Sequence, residues 1–150
     1  MSMITVKRSI HHHFKRDCIK DVESDIIHIC SNSELTHPPV IHFEVCYRNI
    51  YNLIIHTKNK AGYKDLYDIL KKYEQNIKTL HTLKMVMDVC LYPLRQNNEH
   101  SQCIQMWFKK MAESLYLNTI MNYFPEFPSE ICLAITSFSF SFSDYIAKPQ

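Results

Sequence analysis

The chain has 150 residues, 46% hydrophobic and 21% charged, with a formal net charge of +2. Those values describe one folded domain long enough to bury a core, and the scattered Lys and Arg argue against a nucleic-acid platform, where basic residues cluster on one face. A single glycine, Gly62, excludes phosphate-cradling loops, dinucleotide turns and nucleophile elbows, disfavours hairpin-rich β folds, and leaves no room for glycine-dependent ankyrin repeats.

Residues 1–17, MSMITVKRSIHHHFKRD, carry basic side chains and the triplet His11-His12-His13 but no apolar run fit for a signal peptide. No stretch approaches the ~18 apolar residues of a membrane span. A polar arm on a soluble, cytoplasmic protein is the expectation. The six cysteines, Cys18, Cys30, Cys46, Cys90, Cys103 and Cys132, are widely spaced. Without a secretion signal they read as reduced and mostly buried thiols.

From Asp17, a candidate N-cap, Ile19, Val22, Ile26 and Ile29 recur at helical spacing and predict a helix ending near Cys30. Ser31-Asn32-Ser33 and His37-Pro38-Pro39 then read as turn and extended chain. Phe43 to His56 is expected to be a central buried helix, with a strand through Tyr51–His56 as the alternative. His28, Cys30, His37, His42 and Cys46 form the one arguable metal constellation. They lack the paired Cys or His knuckles of zinc sites, and no metal or cofactor is expected.

After the polar TKNKAG connector, the stripe Leu66, Ile69, Leu70, Tyr73, Ile77, Leu80 and Met87 predicts a long helix over 63–91, with a bend or break at His81-Thr82. Tyr92-Pro93-Leu94 is expected to end it. Ser101 can cap a further helix reaching about Met121, on which Trp107 is the expected core anchor. Beyond Pro125, Pro128 suits the start of a short helix, Glu130 places a carboxylate near its positive end, and Ile131 and Ile135 continue an apolar stripe with Phe138. Residues 137–143, SFSFSFS, alternate with the period of a strand.

The dispersed acids and the many Cys–His pairings available on paper carry no catalytic signature, so no enzyme activity and no catalytic residue is expected. The fold class read from these patterns is all-α: a single helical domain of about five helices, with residues 1–42 as an arm and first helix and 43–150 as the main helical part.

The order Phe127-Pro128-Ser129-Glu130-Ile131, then Ile135, Ser137-Phe138 and Asp144-Tyr145, resembles the start of an F-box. In particular it resembles the truncated, F-box-like end of the PRANC domain of poxvirus and parasitoid-wasp ankyrin-repeat proteins. Leu66-Tyr67-Asp68-Ile69-Leu70 is similar to a phrase near the start of that domain, and Tyr92-Pro93-Leu94 is weakly similar to a later one. Thr136 and Ser139 stand where the family carries aliphatic residues, and Asp144 comes about one residue late. The resemblance covers roughly residues 43–145, without ankyrin repeats. It implies a non-enzymatic adaptor that recruits a host Skp/cullin ubiquitin ligase to modulate host signalling. Its partner-binding residues would be Pro128, Glu130, Ile131, Ile135 and Phe138, its partners the Skp-type adaptor and an unknown host protein, and its place the host-cell cytoplasm. The different classes weighed beside it are a small Bcl-like helical bundle that sequesters a host helix, and a truncated remnant without independent activity.

Overall fold

Val22, Ile26 and Ile29 share one face of the first helix, residues 18–31 (α1), and all three are buried. The spacing of three and four residues puts them on one stripe, and that stripe enters the core. The computed structural model describes residues 18–31, 40–57 and 60–139, except for the side chains of 40–42 and 137–139. The described residues form an all-α domain with seven helices and no strand. That is two more than the expected count of about five, because the helix expected over 63–91 is divided in two and Leu91–Leu94 forms a short helix of its own.

Helix α2, Val40–Ile55, is the central helix expected from Phe43 onward. Residues 51–55 are helical, which removes the strand alternative for them. Cys46, Ile50, Leu53 and Ile54 bury its inner face. Asn49 Nδ2 donates to Asp25 Oδ2 at 2.9 Å and joins α2 to α1. At the end of α2, Thr57 Oγ1 donates to the Leu53 carbonyl at 3.0 Å and accepts from the Gly62 amide at 2.8 Å. One hydroxyl thus closes α2 and serves an orphan amide at the start of α3, Ala61–Lys72.

The long helix expected over 63–91 is broken, and the break lies upstream of His81-Thr82. A 3₁₀ turn, Glu74–Asn76, follows α3, and Ile77 is extended. Thr79 then caps α4, Leu80–Val89, its hydroxyl accepting from the Thr82 amide at 3.1 Å. The apolar stripe conceals this break because Ile77 is buried on either path. Nor does Tyr92-Pro93-Leu94 end a helix. It lies in a short one, α5, Leu91–Leu94. Pro93 sits in the first turn, where its missing N–H has no intrahelical partner to lose.

Helix α6, Glu99–Tyr123, is capped by Asn98 and not by Ser101. Asn98 Oδ1 accepts from the Ser101 amide at 2.9 Å. The buried Ser101 hydroxyl instead lies 2.7 Å from the carbonyl oxygens of both Pro93 and Gln96, which share its one proton, and so pins the α5–α6 connection. Trp107 is buried, meets Phe108 edge-on at 4.9 Å, and donates its indole N–H to Glu74 Oε2 at 2.9 Å. It is a core anchor, as its size suggests.

At about 1.5 Å per residue, α6 is longer than the core it packs on. Its side chains join the main apolar cluster through Ile104, Trp107, Phe108 and Ala112, with Met111 and Leu115 against it. The last turns run past that cluster and carry α7, Ser129–Ser139. Residues 137–139 are therefore helical, whereas 140–143 of the alternating stretch, the arm 1–17 and the turn 32–39 lie outside the described residues. No described helix is long and apolar enough to cross a membrane.

Candidate partner-binding site

Helix α6 stops at Tyr123, and a short turn leads into α7. The Phe124 amide donates to the Ile120 carbonyl at 2.9 Å, and the Phe127 amide donates to the Phe124 carbonyl at 3.0 Å. That turn, built around Pro125, stacks the Phe124 and Phe127 rings at 5.1 Å and 9°. Pro128 immediately precedes α7, and its carbonyl accepts from the amides of Ile131 at 3.0 Å and Cys132 at 3.2 Å. Proline's restricted φ suits such a helix start, and the Glu130 carboxylate in the first turn complements the positive end of the helix.

The way α7 packs is the unusual feature. A surface helix ordinarily buries its largest apolar side chains. Here the seam against α6 is made by Cys132 and Thr136, both buried and one helical turn apart, while Ile131 is 47% and Leu133 52% exposed. The Thr136 hydroxyl donates to the Cys132 carbonyl at 2.8 Å, so the polar atom on the seam is satisfied within the helix. Ile120 and Cys132 are buried here but lie outside the main core cluster.

Of the five predicted contact residues, Pro128, Glu130 and Ile131 are exposed, and Ile135 is half-buried beside the seam. Phe138 is helical, and its side chain lies outside the described residues. Residue reasoning missed the stacked pair Phe124–Phe127, and its signal was present: two phenylalanines three apart around Pro125. Among the described residues, six of the eleven exposed large hydrophobics fall within 121–133: Met121, Tyr123, Phe124, Phe127, Ile131 and Leu133. Such a concentration, with Glu126 and Glu130 as the only charges between 121 and 139, differs from the scattered apolar exposure ordinary on a surface.

The candidate metal constellation is described only in part. His28 and Cys30 lie on α1 and Cys46 on α2, while His37 and the His42 side chain fall outside the described residues. Among the described residues no group of three or more His, Cys, Asp or Glu is placed to hold a metal. Burial, followed by the neighbouring Asp25 carboxylate, pushes the Cys46 thiol up to about 12. Burial also pushes the Cys90 thiol upward. Both thiols are therefore protonated at neutral pH, unlike an activated nucleophile. All six cysteines are free thiols, four of them buried, with Cys103 exposed. No family model, no curated protein and no solved structure matches the chain.

Proposed function

We propose that the chain is a non-enzymatic interaction domain that docks a partner through α7 and the turn before it, as an F-box-like adaptor recruiting a Skp-type subunit of a cullin–RING ubiquitin ligase. The observation that supports this reading is the inverted packing of α7: Cys132 and Thr136 face the protein, and the larger Ile131 and Leu133 are exposed. Burying Ile131 and the Phe124–Phe127 pair against a partner supplies the main driving force, each large side chain being worth about 1.5–3 kcal/mol when fully buried. Pro128 and Glu130 set where α7 begins and hold its first turn, and so fix the direction in which Ile131 projects. The resemblance of Phe127–Ile131 to an F-box start selects the Skp-type adaptor among possible partners.

The test is a pull-down of the tagged chain from eukaryotic-cell lysate, probed for the adaptor and for cullin. Ile131→Asp is the discriminating variant, because Ile131 is exposed and its loss spares the seam, whereas Ile135 is half-buried. Wild-type chain is expected to recover both proteins, and the variant to lose them while its helical circular dichroism is unchanged. Equal recovery by the variant would remove Ile131 from the contact. Recovery by neither would remove the adaptor function.

A further inference from the structure

The other flank of α7 forms a separate surface. On a helix of 3.6 residues per turn, Ile131 and Leu133 fall on opposite sides of the buried Cys132–Thr136 seam. Leu133 and Thr136 face a groove of about 500 Å³ whose opposite wall is the stripe Lys109, Lys110, Glu113 and Leu117 on α6. The groove is apolar along Leu117 and Leu133 and carries two lysines against one carboxylate. Neither lysine makes an ion pair among the described residues, in contrast to Lys64, Lys71 and Lys72, which pair with Asp68, Glu74 and Glu23. The Leu133 side of α7 is thus bordered across the groove by Lys109 and Lys110, while Glu130 lies three residues before Leu133 on α7 itself.

We propose that the groove between α6 and α7 binds an acidic amphipathic segment of a partner protein, seating an apolar side chain between Leu117 and Leu133 and its carboxylates on Lys109 and Lys110. Charge complementarity selects this occupant. An uncharged helix would leave both ammonium groups without carboxylates, and a basic one would face them directly at the mouth of the groove. The geometry is a helix-in-groove arrangement, in which the apolar stripe supplies affinity and the flanking charges set which partner is accepted. This surface does not depend on the Ile131 side. With both occupied, α7 would be the shared wall between two partners.

The probe is a fluorescently labelled synthetic peptide with leucines at helical spacing and glutamates on the flanking positions, titrated into the full chain and followed by polarisation. Its control replaces every glutamate with lysine. The acidic peptide is expected to bind saturably, the basic one not to bind, and added salt to weaken the complex. The double variant Lys109→Glu, Lys110→Glu should weaken it about tenfold. Both side chains are exposed, so the variant should keep its helical spectrum. Leu133→Glu should also abolish binding, and Ile131→Asp should not change it. Absence of binding, equal binding of both peptides, or indifference to the lysine reversals would overturn the proposal. So would self-association of the chain that is lost in the lysine variant without peptide binding, since the occupant would then be a second copy.

Discussion

Gly62 shows how a single residue can be noticed in the sequence while its role is not. It stands out as the only glycine, and the sequence suggests a turn. Its backbone φ is not positive, and no left-handed turn requires it. It is needed because α3 begins close against the end of α2: a Cβ there would collide with the Leu53 carbonyl oxygen and lie 2.6 Å from Thr57 Oγ1. Backbone cannot yield as a side-chain tip can. Gly62→Ala is therefore expected to destabilise the fold by about 2 kcal/mol, read as a lowered denaturant midpoint with an unchanged m-value.

Glu23 carries a prediction of a different kind. Hydrogen bonds from Lys72, at 2.7 Å, and then from Tyr73 hold its carboxyl below the ordinary 4.5. A depressed carboxylate pKa contributes stability that is fully present above the unfolded value and is lost as pH falls through the lower folded one. The group is partly exposed, so solvent screening keeps the contribution to about 0.5 kcal/mol. Glu23→Gln should be less stable than wild type at neutral pH by that amount, and the difference should vanish in acid below the folded pKa of Glu23. A constant difference across the whole range would mean that Glu23 acts through packing and not through charge.

At the scale of elements, what was legible followed from periodicity, and what was not followed from local hydrogen bonding. The stripes of α1, α2 and α6 are plain because their buried residues recur every three or four positions. The break between α3 and α4 was hidden because Ile77 keeps the stripe in phase through a 3₁₀ turn. The signal that marks it is Thr79, whose hydroxyl serves the Thr82 amide. Ser101 reads as the cap in place of Asn98 for a related reason: both residue types suit a cap, and only the fold shows that Ser101 serves the Pro93 and Gln96 carbonyls. Ser101→Ala should remove the hydroxyl proton that these two carbonyls share and cost about 1 kcal/mol, measurable in chemical denaturation.

The start of α7 was legible from Pro128 and Glu130, and its pairing with α6 was not. Ile131 and Ile135 looked like a single stripe, but the seam belongs to Cys132 and Thr136. A stripe of two small residues beside larger ones gives no periodic signal, because either set can face the protein. Thr136 breaks the aliphatic pattern of the resembling family at a position that here faces α6, where a hydroxyl bonded to the Cys132 carbonyl packs without an unpaired polar atom.

Across the whole molecule, most of the described residues pack around one core and a small part lies outside it. Residues from α1 to the middle of α6 bury one continuous cluster, and the last turns of α6 hold α7 outside it. Such a division suits a protein that works by position, since a rigid core can present a peripheral helix without exchanging its own contacts. It also places the two flanks of α7, one carrying Ile131 and one facing Lys109 and Lys110, where they can be altered separately without disturbing the core.

The Ile131 flank of α7 is the docking surface proposed for a Skp-type adaptor. The most direct measurement is a calorimetric titration of the purified adaptor into the purified chain, with Ile131→Asp and the Lys109→Glu, Lys110→Glu variant run alongside. Saturable one-to-one binding is expected, weakened at least about thirtyfold, or about 2 kcal/mol, by Ile131→Asp and unchanged by the lysine reversals. A folded wild-type chain that gives no binding, or that binds as tightly with Asp at position 131, would contradict it.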